Sequence, residues 1–164
     1  MSERFSAEIN IGGKLKRELI EDLLGCLEND SCGKEWDSYD PESIFKEKDL
    51  LATSEAKEWL NGKSSEAKWG EFEETEQFCH ENNLSFIRHS SAYSDEDADL
   101  TVFLPDYDID RIYYANAVGA IMLNKNEYDS IMAECGTDLD LFWKKLYNHF
   151  HLIDNKLPQF EIID

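Results

Sequence analysis

The sequence predicts an α+β fold: a single domain, 1–164, with a mainly antiparallel sheet and helices packed on one face. Three observations lead there. The 164 residues are one domain's worth, enough to bury roughly two-thirds of the unfolded surface. The apolar spacing switches along the chain between the period of a strand and that of a helix. Several short β-branched and aromatic runs follow one another in the second half, broken by Ser, Asp, Pro and Gly, as in hairpins. No internal repeat or low-complexity linker divides the chain.

The elements follow in order. FSAEINIGG alternates, with Phe5, Ala7, Ile9 and Ile11 on one side, and predicts a half-buried strand that turns at Gly12 and Gly13. A helix follows, because Leu15, Leu19, Ile20, Leu23, Leu24 and Leu27 recur at helical spacing. Residues 29–41 read as a surface connection. A short element and a helix come next, with Ser54 as N-cap and Gly62 as stop. WGEFEETEQFCHENN predicts a helix burying Trp69, Phe72, Phe78 and Cys79 and closing on Asn82 and Asn83. LSFIRHSS, LTVFLPDY and RIYYANAVGAIML supply three or four strands with at least one hairpin. NEYDSIMAECG and TDLDLFWKKLYNHF return to helix, the second capped by Thr137 with Leu139, Phe142, Trp143, Leu146 and Phe150 on one face; LPQFEIID ends the chain as a strand.

Charge sets the functional bounds. There are 36 Asp and Glu against 16 Lys and Arg, a formal net charge of −20. With 41% hydrophobic and 12% aromatic residues the chain still belongs to the globular class, not the disordered one. Solubility asks a small domain for a charge magnitude of only about 2 to 8. A polyanion repels nucleic acid and anionic lipid and is drawn to basic surfaces, so direct nucleic-acid binding and membrane association are excluded. No run of apolar residues reaches a membrane span. Four cysteines without a CxxC pair, and an N-terminus lacking an apolar core, lead us to expect free thiols in a bacterial host's cytoplasm.

Catalytic and metal patterns are weak. Asp95, Asp97, Asp99 and Asp106 occupy four positions of a calcium loop, but Leu100 stands where that loop needs Gly. Cys26 and Cys32, or His149 and His151, lack the partners of a zinc site. Cys79 with His89 or His149 could form a nucleophilic pair, yet Cys79 falls on a buried helix face, where thiols are inert. No phosphate-cradling or serine-presenting motif occurs. The expectation is a protein that is no enzyme and holds no cofactor or metal.

The carboxylates are left. YSDEDADLTVFLPDYDID carries Asp95, Glu96, Asp97, Asp99, Asp106, Asp108 and Asp110 without one Lys or Arg. If 105–110 is extended, Asp106, Asp108 and Asp110 point the same way at spacings of about 6.6 Å. Glu73, Glu74 and Glu76 form a second patch on a helix, with neighbours three or four along at roughly 5–6 Å. Both spacings resemble successive backbone phosphates. Tyr107, between two aspartates, is the expected exposed aromatic anchor. The alternative is an acidic face that is only solvated.

The run EAKWGEFEETEQFCHENNLSFIRHSSAYSDEDADLTVFLP, with AEINIGG and LPQFEIID, resembles uncharacterised small acidic proteins of phages and mobile elements. By size and charge it also resembles anti-CRISPR and anti-restriction inhibitors, several of which mimic DNA. That resemblance implies an inhibitor whose acidic surface enters the DNA-binding channel of a basic, nucleic-acid-binding partner, a CRISPR effector or a restriction enzyme. The alternative is an acidic adaptor or immunity-type protein that binds one basic protein without mimicry.

Overall fold

The computed structural model describes residues 3–37, 39–91 and 98–164. Its element order is β1 (Arg4–Lys16), α1 (Ile20–Asn29), α2 (Glu47–Ala56), β2 (Leu60–Lys68), α3 (Glu73–Glu81), β3 (Ser85–Ser90), β4 (Asp99–Leu104), β5 (Ile109–Tyr114), α4 (Lys125–Cys135), α5 (Leu139–Phe150) and β6 (Phe160–Ile163). The strands form one sheet in the order β2-β1-β3-β4-β5, antiparallel throughout, with β6 added in parallel to the end of β1. The α+β class, the single domain and the mainly antiparallel sheet are those expected from the sequence. No helix among the described residues is long and apolar enough to cross a membrane.

Alternation in β1 dictates the larger core. Phe5, Ala7, Ile9 and Ile11 face inward, opposite Ala67, Ser64, Gly62 and Leu60 of β2, while Ala7, Ile9 and Ile11 meet Ser90, Arg88 and Phe86 of β3 on the other side. Over this face lie Ile20, Leu23 and Leu27 of α1, Leu50 of α2, and Phe78 and Cys79 of α3, each at helical spacing. A smaller core lies on the reverse face of β4 and β5. There Leu100, Val102, Leu104 and Tyr113 are covered by Ile121 and Leu157, with Leu152 and Ile153 packed against them. Three of the five helices among the described residues therefore share one face, whereas α4, through Glu127 on Arg111, and the C-terminal segment stand on the other, a difference from the expected single helical layer.

Several local expectations change. The chain does not turn at Gly12 and Gly13; β1 runs on to Lys16, and Gly13 N–H donates to the Gln159 carbonyl at 2.9 Å where β6 joins. Gly62 is no helix stop. It lies in β2, where an added Cβ would stand 2.3 Å from Cys32 Sγ. Ser54 lies inside α2, and its Oγ accepts the Ile162 N–H at 3.0 Å. Trp69, expected in the core, is half exposed at a positive φ of 56°. Asp138, not Thr137, caps α5 by accepting the Leu141 N–H at 3.0 Å. Residues 115–123 form only the bridge Ala115–Ile121. The apolar stripe of α5 is largely outside, with Leu139 at 69% and Trp143 at 62% exposure, because the sheet face beneath the C-terminal layer is already filled by 152–157.

Gly12 fastens the C-terminus to the sheet, since a Cβ there would lie 1.8 Å from the Pro158 carbonyl oxygen, a backbone atom that no rotamer change can move. We expect Gly12→Ala to lower unfolding stability by about 1–3 kcal/mol, read from urea denaturation, with earlier amide exchange in β6.

Candidate interaction face

Arg88 organises this face. It lies on β3 at 2% exposure, among strand residues that otherwise point apolar or small groups inward. A buried guanidinium needs its charge met and its donors filled. Its Nε stands 2.6 Å from Glu76 Oε1 of α3, and Nη1 is 2.7 Å from the Gly70 carbonyl and 3.3 Å from Asp99 Oδ1; Nη2 donates to Thr101 Oγ1 at 2.8 Å. Asp99 and Thr101 reach it because both share its sheet face across β3 and β4.

Two sequence-predicted site residues are thereby tied to a buried cation. Glu76, placed in the outer helical patch, is instead largely buried against Arg88 and also accepts the Phe72 N–H at 3.0 Å. Asp99, placed in the first patch, is tied to the same guanidinium. Burial raises the carboxyl of Glu76 above its ordinary range even though Arg88 pulls it down, and the same holds for Asp99. Asp30, at the end of α1, is raised by burial too, while it accepts the α3 N–H groups of Glu74 at 3.3 Å and Thr75 at 2.7 Å. It thus satisfies two donors that the helix start leaves open.

The other half of the face is the β4–β5 hairpin. Residues Pro105–Tyr107 make one 3-10 turn, and Asp108 closes it in the left-handed region at φ 55°, its N–H donating to the Pro105 carbonyl at 3.1 Å. Asp106, Asp108 and Asp110 are therefore not an extended row; the first two ride a curved tip and the third stands on β5. Tyr107 is exposed as expected, with Lys156 Nζ 5.3 Å from its ring centroid. Asp95, Glu96 and Asp97 lie outside the described residues.

Tip and helix meet at His80. Its ring packs on Phe103 at 4.0 Å and Phe86 at 5.6 Å, and its Nδ1 lies 3.9 Å from Asp110 Oδ2. Asp110 faces α3 because it pairs with inward-pointing Phe103. The contact sets Asp110 of β5 beside the C-terminal end of α3, where Glu81 stands; Glu73 and Glu74 lie about 12 Å back in its first turn, Glu74 accepting from Asn29 Nδ2 of α1 at 2.7 Å, and Asp108 and Asp106 lie beyond at the hairpin tip. Glu21, Asp22 and Glu28 are exposed on neighbouring α1. Arg4 and Lys68 border the Glu73 end, Lys68 3.9 Å from Glu73.

The thiols offer no chemistry here. Cys32 and Cys79 are buried and their thiols are pushed well up by desolvation; Cys26 is raised by burial and by Glu74, Asp30 and Asp22 beside it. No group of three or more His, Cys, Asp or Glu among the described residues could hold a metal ion. Sequence reasoning missed Arg88, Asp30 and His80. Only Arg88 carried a signal, as a lone cation at an inward position of LSFIRHS.

Removing Arg88 leaves Glu76 facing an apolar interior and Asp99 without its cation. Arg88→Met should cost about 3–5 kcal/mol in urea denaturation at neutral pH. Asp30, Glu76 and Asp99 all have folded values raised above unfolded ones, so their contribution is full below the unfolded carboxylate range near 4 and is lost as pH rises through the raised values. Cooling the net repulsion acts the same way. Thermal melts of the native chain should therefore rise as pH is lowered from neutral toward the unfolded carboxylate range, and the penalty of Arg88→Met should shrink with it.

With this geometry in hand, comparison with known proteins adds no relative: no family model, no curated protein and no solved structure matches the chain.

Proposed function

We propose that the protein is an inhibitor that seats its acidic strip in the basic, nucleic-acid-gripping channel of a bacterial defence complex, with a CRISPR effector as the first target and a restriction enzyme as the second. The observation that supports this reading is the contact of His80 with Asp110, which sets the end of α3 that carries Glu81 beside the β4–β5 hairpin. Glu73, Glu74, Glu81, Asp106, Asp108 and Asp110 are the groups a partner would meet. Glu73 and Glu74 are adjacent and Glu81 follows two turns on, so these groups match a nucleic-acid backbone in sign. A rigid support matters here, because charges already held apart need no ordering on binding.

Such a strip displaces the same counterions from the partner as DNA does, and its field steers encounter. No bond is made or broken, and inhibition is occlusion. A second reading is favoured by one observation: the stripe Leu139, Trp143 and Tyr147 on α5 is exposed and apolar, as a surface that binds protein rather than a phosphate channel would be. On that reading the protein is an adaptor for one basic partner.

Reversing Asp106, Asp108 and Asp110 to Lys should weaken inhibition of target-DNA binding by a CRISPR effector at least tenfold, and inhibition by the unaltered chain should fall steeply with added salt. Unchanged potency would remove the hairpin tip from the mechanism. Double-stranded DNA should displace the inhibitor from its target; an adaptor bound through α5 would stay in place.

A further inference from the structure

The two outer strands of the sheet are finished differently. The edge of β2 is covered by its own chain: Gly33 and Lys63 exchange both backbone hydrogen bonds, at 2.9 and 2.8 Å, and Ser65 N–H donates to the Trp36 carbonyl at 3.2 Å. Among the described residues the edge of β5 is covered only at its last residue, where Met122 N–H donates to the Tyr114 carbonyl at 2.8 Å. The alternation of an antiparallel ladder identifies what is left. Ala115 N–H donates to Ala98 at 3.0 Å, so Tyr113, Arg111 and Ile109 turn their backbones toward β4 while Tyr114, Ile112 and Asp110 turn theirs outward. Among the described residues no backbone group pairs with the outward N–H and C=O of Asp110 and Ile112.

Side chains add a direction. Asp110, Ile112 and Tyr114 share the inner face through their partners Phe103, Thr101 and Asp99. Asp110 meets His80 of α3, while Ile112 and Tyr114 stand further along β5 and are 63% and 51% exposed. An unpaired edge with exposed apolar side chains is what native proteins ordinarily cover or blunt.

We infer that β5 is a docking edge that takes up a short extended segment of a basic partner as an added strand. The inference rests on the reading of the protein as a binder of basic surfaces and names how the partner is held. Charge selects the occupant: with a net charge of −20 and Asp106, Asp108 and Asp110 beside the edge, a second copy is repelled and a cationic segment attracted. The geometry also sets its pattern. In an antiparallel arrangement an aliphatic residue lies opposite Ile112 and a Lys or Arg two positions later opposite Asp110. The residue between them faces the side of Arg111 and is not basic.

A synthetic octapeptide Val-Ser-Lys-Ser-Val-Ser-Lys-Ser, with a counterpart carrying glutamate in place of lysine, tests this by amide NMR on the full chain. The lysine peptide should shift the Asp110 and Ile112 amides and slow their exchange, and the glutamate peptide should not. Ile112→Pro removes the outward N–H without breaking a bond to β4 and should weaken binding at least tenfold at an unchanged melting temperature, whereas Ile112→Val should bind as before. Shifts confined to α3 or the hairpin tip, equal binding of both peptides, or a dimer that Ile112→Pro converts to monomer would each overturn the proposal. The underlying reading fails separately: if reversal of Asp106, Asp108 and Asp110 to Lys leaves inhibition of a defence complex intact, the strip is wrong whatever the edge binds.

Discussion

The fold's acidic face depends on one buried cation. A protein with more than twice as many acids as bases cannot neutralise its surface, and the one arginine it buries is spent where three elements meet. Arg88 joins β3 to β4 through Asp99 and Thr101, to α3 through Glu76, and to the turn before α3 through the Gly70 carbonyl. An ion pair of this kind adds little net stability over an apolar substitute, because desolvation consumes most of the attraction. Its effect is on position. Glu76 cannot leave Arg88 without exposing an unpaired charge to the core, so α3 is fixed in rotation, and the outer carboxylates of α3 are fixed with it.

This division of labour sorts the acids. Glu76 and Asp99 are inward and neutralised; Asp30 is inward and works as a cap for α3. The exposed ones, Glu73, Glu74, Glu81, Asp106, Asp108 and Asp110, stand on elements that the inward ones hold. Repulsion between them is tolerable because each pair costs only a few tenths of a kcal/mol in water, while the packing of Phe78, Phe86 and Phe103 beneath is worth far more. His80 reconciles the two layers, with an apolar ring on Phe103 and a nitrogen near Asp110.

How much of this was legible in the sequence follows from the range of each interaction. Elements written in a local period were plain: the alternation of β1, the apolar spacing of α1 and α3, and the strands β3, β4 and β5. β2 was not, because LNGKSSEAK has no β-branched residue and is a strand only by pairing with β1, where Gly62 makes room for Cys32. The α5 stripe misled for the opposite reason: its spacing is that of a core helix, and only the tertiary structure reveals that the sheet beneath was already covered. The acidic run was legible as charge but not as geometry. Asp99 and Asp108 are identical letters nine apart, and it takes Arg88 across the sheet and a left-handed turn to make one a counter-ion on the inner face and the other a tip.

The same long-range logic explains why the sheet ends as it does. Covering the β2 edge uses residues 33–36, a connection the chain needs anyway between α1 and α2, so protection there comes with the topology. At β5 the chain returns for one hydrogen bond and then leaves to build α4, whose Glu127 pairs with Arg111 on the reverse face. The turn back at 116–120 could as well have continued as a sixth neighbour along β5. Instead, the carboxylates Asp106, Asp108 and Asp110 guard that edge electrostatically, an effective barrier against other copies of a polyanion and none at all against a cation. An edge closed to itself and open to basic chains is a selective surface, and it adjoins the strip that would meet a basic partner first.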